Sequence, residues 1–155
     1  MDSPYAALVA PFKTLQLTGR RVVFTNGCFD LLHPGHVALL TAAKTLGDFL
    51  IVGINDDDSV RRLKGPDRPL FPLAYRQAMV VALKPVDAVI PFSEDTPLVL
   101  ITELGPDVLV KGGDYALDAI VGREIVEARG GKVQTVPFVG DWSTTTLVGR
   151  LRGEG

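Results

Sequence analysis

With 155 residues, 46% of them hydrophobic and 22% charged, the chain is the size of one globular domain and is too apolar to remain disordered. A net charge of −2 without a lysine- or arginine-rich block excludes a broad nucleic-acid surface. No apolar run approaches the roughly 20 residues that a membrane span needs.

The single cysteine, Cys28, allows no internal disulfide and fits a reducing cytoplasm. The N-terminal stretch lacks the basic start and long apolar middle of a secretory signal, so the expected location is cytoplasmic. In chain order, residues 2–17 carry a loose helical pattern, broken at Pro11 and ended by Thr18-Gly19. A β-branched and aromatic run at 21–24 reads as the first strand, interrupted by Thr25-Asn26-Gly27. A helix follows over 36–46, then a continuous apolar run at 49–54 typical of a strand buried on both faces. Asp58 or Ser59 would cap a short helix over 60–63, and the Pro/Gly-rich stretch 64–69 reads as a loop. The pattern then predicts a helix over 73–83 with Pro72 in its first turn, a strand at 86–92 and a helix over 97–104 closed by Gly105. A strand at 108–110, a helix over 118–129, a strand at 132–137 and a final helix from Ser143 to about Arg152 complete the chain.

Strands and helices thus alternate five times, with no repeat or linker. This predicts a single domain over 1–155, an α/β Rossmann-like doubly wound five-stranded parallel sheet with helices on both faces. Ligands bind such sheets at the carboxyl ends of the strands, which makes 25–36, 55–69, 111–115 and 138–145 the candidate loops.

The first of these loops places the only two histidines, His33 and His36, three apart at a helix start. Residues so spaced share one side of a helical turn. A helix N-terminus offers free N–H groups and partial positive charge, both suited to phosphate. Gly27 and Gly35 would let the backbone approach a ligand. Zinc ligation is disfavoured, because neither a third histidine nor a second cysteine completes a tetrahedral set. Cys28 reads as a packing residue.

The run TNGCFDLLHPGH, followed by LKGPDRPLFPLAYRQ, SEDTP, LVKGGDY and STT, resembles the cytidylyltransferase-like nucleotidyltransferases. The five motifs in order are most similar to the heptose-1-phosphate adenylyltransferase branch. That resemblance implies transfer of AMP from ATP to a sugar 1-phosphate, with D-glycero-D-manno-heptose as the sugar. ADP-heptose and pyrophosphate would form by direct in-line displacement at the α-phosphorus. It also implies Mg²⁺ held mainly by the ATP phosphates with no protein metal site, and a homodimer or higher homo-oligomer. No nucleic acid or membrane partner is expected. Because the sequence shows no kinase segment, the sugar is expected to arrive already phosphorylated.

Carried over by motif, the catalytic set is His33, His36 and Lys64. The nucleotide would meet Asn26, Gly27, Phe29, Asp30, Gly35, Lys111, Gly113, Asp114, Ser143, Thr144 and Thr145. The acceptor would meet Asp30, Arg68, Arg76 and Trp142, with Asp30 facing the acceptor or the metal. Arg76 is alternatively a structural ion pair, and Trp142 either covers the pocket or packs in the core. Where cytidylyltransferases carry an arginine before the serine-threonine signature, this chain has Phe138, which favours ATP over CTP. The alternatives are a glycerol-3-phosphate-type cytidylyltransferase using CTP and a non-catalytic ATP-sensing module.

Overall fold

The computed structural model describes residues 3–140 and 142–154. Asp2, where the first helical pattern begins, and Asp141, in the stretch before Ser143, lie outside them.

Five strands form one parallel sheet: β1 (Val22–Gly27), β2 (Phe49–Asn55), β3 (Ala88–Phe92), β4 (Val108–Gly112) and β5 (Lys132–Val136). Their order is β3-β2-β1-β4-β5. The chain moves outward from β1 to β2 and β3, then returns to place β4 on the other side of β1. That reversal opens a crevice at the carboxyl ends of β1 and β4.

Alternation along β1 distributes the core. Val22 and Phe24 face a cluster completed by Val9 of α1 (Ala6–Leu17), Leu100, Ile101 and Leu104 of α5 (Leu98–Leu104) and Val126 of α6 (Arg123–Ala128). Val23 faces the opposite cluster, with Leu40 and Ala43 of α2 (Pro34–Lys44) and Val80 of α4 (Leu73–Val81). Both faces of the sheet are therefore covered, which is why β2 reads as an unbroken apolar run. Among the described residues no helix is long and apolar enough to cross a membrane.

Several boundaries differ from the sequence reading. The strand β1 continues through Thr25, Asn26 and Gly27, because these pair with Val52, Gly53 and Ile54 of β2. Helix α1 runs through Pro11; Pro11 and Ala7, whose carbonyl loses its donor, are both exposed, where water serves instead. Helix α3 (Asp57–Lys64) starts earlier than expected because Asp56, not Asp58 or Ser59, is its cap, accepting from the Ser59 N–H at 2.8 Å. The expected helix over 118–129 is two pieces, a 3-10 turn at Leu117–Ala119 and α6. Gly122 separates them at φ +89°, and a Cβ there would lie 2.9 Å from the Ile101 side chain. Helix α7 (Thr144–Leu151) closes the chain as expected, with the Ser143 hydroxyl accepting from Thr146 N–H.

Candidate active site

A cleft of about 550 Å³ lies at the carboxyl ends of the strands. It is walled by the β1–α2 turn, the end of α3 with the following loop, β4 and its turn, and the segment leading into α7.

The β1–α2 turn is built around its two imidazoles. His33 is the N-cap of α2, and its Nδ1 accepts from the Gly35 N–H at 3.1 Å. The Nδ1 of His36 accepts from the His33 N–H at 3.2 Å, closing a reciprocal capping box. With both Nδ1 atoms used as acceptors, each neutral ring carries its proton on Nε2. The rings stack at 3.7 Å, and both line the cleft. Burial, then the neighbouring His33, pushes His36 from 6.5 down to about 4, and burial lowers His33 too. At neutral pH the pair is therefore two uncharged N–H donors.

The glycines and Phe29 serve this turn. Phe29 sits at φ +49°, and its ring packs 5.1 Å from that of His36. A Cβ on Gly27 would meet the Phe29 ring at 3.0 Å, and one on Gly35 would meet the His33 ring at 2.9 Å. Both glycines thus make room for the turn's own rings, not only for a ligand as the sequence suggested.

Because the folded chain resists protonating His36, the stability that this provides is fully present above about pH 6.5. It is lost as pH falls towards about 4. Between those limits the stability of the wild type should fall by up to about 1.4 kcal/mol per pH unit from this group. His36→Gln, which has nothing to titrate there, should fall less steeply when urea unfolding is compared at pH 7, 6 and 5. Parallel slopes would contradict the assignment.

Three cations converge on the cleft: Lys64 at the end of α3, Arg68 in the loop after it, and Lys111 of β4. Among the described residues neither lysine forms an ion pair. Lys111 lies 5.4 Å over the Tyr115 ring, and burial lowers its ammonium. An anion in the cleft would offset that desolvation.

Residues 24–146 match the family model described as cytidylyltransferase-like. The chain belongs to the cytidylyltransferase-like family of nucleotidyltransferases. The bifunctional protein HldE of Citrifermentans bemidjiense is 56% identical over 133 residues, which are 86% of this chain and 27% of that protein. HldE of Halorhodospira halophila is 50% identical over 155 residues, 100% of this chain and 32% of that protein. The chain thus spans about a third of the length of these curated relatives. The crystal structure of the lipopolysaccharide core biosynthesis protein from Thermoplasma volcanium aligns with a TM-score of 0.62 at 31% identity. That alignment covers 78% of this chain and 98% of the other.

In this nucleotidyltransferase the cleft is lined by Asn26, Gly27, Phe29, Asp30, His33, Gly35, His36, Lys64, Arg68, Lys111, Trp142, Ser143, Thr144 and Thr145. Four sequence assignments change. Arg76 is fully buried beneath the cleft and gives its guanidinium to the carbonyls of Phe71, Cys28 and Asn55 and to the Asp57 carboxylate. It is structural and reaches no acceptor. Gly113, at φ +107°, is buried behind the Phe138 ring, which would lie 2.6 Å from an added Cβ. Asp114 is exposed outside the cleft lining, where Gly112 and Phe138 take its place. Asp30 is 1% exposed, with its oxygens turned to protein donors and none left for a metal or acceptor. Burial would raise its carboxyl. The Phe71 and Leu70 N–H groups and Arg68 outweigh that and hold it below the ordinary range. Burial pushes the Cys28 thiol up, consistent with a packing role.

The sequence reading counted SEDTP, in the loop after β3, among its motifs but assigned it no site residue, whereas its Asp95, Thr96 and Pro97 line the cleft. The rule that ligands meet strand carboxyl ends applies to β3 as much as to its neighbours and would have found it.

Proposed function

We propose that this chain, acting as one nucleotidyltransferase domain over 1–155, transfers AMP from ATP to D-glycero-D-manno-heptose 1-phosphate. The products are ADP-heptose and pyrophosphate. The observation that carries this reading is the stacked histidine pair, with both Nδ1 atoms held by backbone N–H groups, set among two unpaired lysines. Relatives named bifunctional protein HldE and a structural neighbour from lipopolysaccharide core biosynthesis support a heptose acceptor. Phe138, on the cleft wall where cytidylyltransferases have an arginine, supports adenine over cytosine.

An oxygen of the sugar phosphate attacks the α-phosphorus of ATP. The new P–O bond forms as the bond to the bridging β-phosphate oxygen breaks, and the electron pair leaves on pyrophosphate. The attacking phosphate oxygen is already anionic, so no general base is required. His33 and His36 donate from Nε2 to the oxygens on the reacting phosphorus, where charge builds up. Lys64, Lys111 and Arg68 offset the charge of the phosphates. The hydroxyl of Ser143 is used in capping α7, while the free N–H groups at that helix start are available to phosphate.

Among the described residues no group of three acidic, histidine or cysteine side chains could hold a metal. The cleft carboxylates Asp30 and Asp95 are each engaged by an arginine. ATP would be taken as its Mg²⁺ complex, the ion held mainly by the phosphates.

Pyrophosphate release with ATP, Mg²⁺ and heptose 1-phosphate is the expected result. Release with CTP and glycerol 3-phosphate, and none with the first pair, would overturn this reading. ATP binding without turnover on any acceptor would leave a nucleotide sensor.

A further inference from the structure

Asp30 stands three residues before His33, on the turn that carries the catalytic pair. Its Oδ2 accepts from Arg68 Nε at 2.5 Å and from the Leu70 N–H at 2.8 Å, and its Oδ1 accepts from the N–H groups of Leu70 at 2.7 Å and Phe71 at 3.0 Å. The Asp30 side chain is completely buried and that of Arg68 only 10% exposed. A buried carboxylate with both oxygens spent on one loop is a clamp. The clamp grips Arg68 by Nε, and among the described residues the two terminal nitrogens of the guanidinium have no hydrogen-bond partner and form a free edge. That edge belongs to a residue lining the cleft, and a guanidinium edge matches two oxygens of a phosphate.

We infer that Asp30 is a positioning residue that acts through Arg68, fixing the guanidinium at one orientation to the histidine pair so that it meets an acceptor phosphate in line. This rests on the nucleotidyltransferase reading above and adds a role for a residue that touches no substrate. Asp30 neutralises part of the Arg68 charge, so its benefit lies in orientation more than in attraction. A displaced reacting group costs rate even when it still binds, with losses of up to about 100-fold for about 1 Å.

The test compares Asp30→Asn, Arg68→Ala, Arg68→Lys and the double variant Asp30→Asn/Arg68→Ala by steady-state kinetics on ATP and on the acceptor. Wild-type turnover is measured first, so that failure of the substrate reading shows as an inactive wild type. Asp30→Asn and Arg68→Ala should each lower kcat/KM for the acceptor by about tenfold or more and change the KM for ATP by less than about threefold. The double variant should be no slower than Arg68→Ala. Guanidinium ion at millimolar concentration should rescue Arg68→Ala, whose Asp30 can still seat it, but not the double variant. Arg68→Lys should stay as slow as Arg68→Ala, and this comparison stands even if Asp30→Asn does not fold. Full activity of Arg68→Lys, near-normal activity of Asp30→Asn, or equal rescue of both alanine variants would overturn the inference.

Discussion

His33→Asn and His36→Gln are each expected to lower turnover by about 100-fold or more while the fold survives nearly unchanged. The two histidines have separable duties. Their Nδ1 atoms accept the Gly35 and His33 N–H groups and so cap α2. Their Nε2 protons are the donors left for phosphate. Asparagine is among the best N-cap residues, and glutamine at the third helical position completes the same box. These replacements therefore keep the cap and remove the donor. One donor aimed at developing charge is worth about 3 kcal/mol, which corresponds to the stated loss. Thermal melting within a few degrees of wild type, together with the kinetic loss, would separate the two duties. Near-normal turnover would mean that the imidazoles serve the helix alone.

Arg76→Ala should instead act on stability, costing about 3–5 kcal/mol. Arg76 is the largest fully buried side chain, and its guanidinium joins four segments. It reaches the carbonyl of Cys28 in the β1–α2 turn, that of Asn55 at the end of β2, the Asp57 carboxylate in α3 and the carbonyl of Phe71 before α4. Removing it leaves three carbonyls beneath the cleft without their donor and opens a cavity the size of the side chain. In a domain of this size each kcal/mol moves the melting temperature by about 2–4 °C, so a fall of about 6–20 °C is expected. Arg76→Lys should rescue little, because one ammonium cannot span the fork of contacts. A melting temperature within about 2 °C of wild type for Arg76→Ala would show that water replaces the guanidinium.

The parts of the molecule that were legible in the sequence depend on local pattern. β2 announces itself because both of its faces are buried, and the histidines stand at a helix start where spacing alone puts them on one side. What was not legible depends on partners far along the chain. Arg76 stands in the run LKGPDRPLFPLAYRQ that resembles the family, yet it is engaged by Asn55 and Asp57, which only folding brings near. Asp30 looks like an open acid until the loop after α3 folds back onto it. Gly122 breaks an otherwise helical stretch because Ile101, on a different helix, fills the space where a side chain would go. Asp56 precedes two other acids, and sequence alone could not say which of them caps α3.

The strand order has a further consequence for how the cleft comes into being. The histidines follow β1, Lys64 and Arg68 follow β2, and Lys111 belongs to β4. The pairs β1–β2 and β1–β4 flank the central strand on opposite sides. A chain that has closed only its first crossover holds the histidines and two of the three cations, on one side of the crevice. The other side arrives when β4 docks after a long excursion through β3 and α5. Enzymatic turnover is thus expected to be a late marker of maturation, reporting the long-range pairing of β4 with β1 rather than the first collapse.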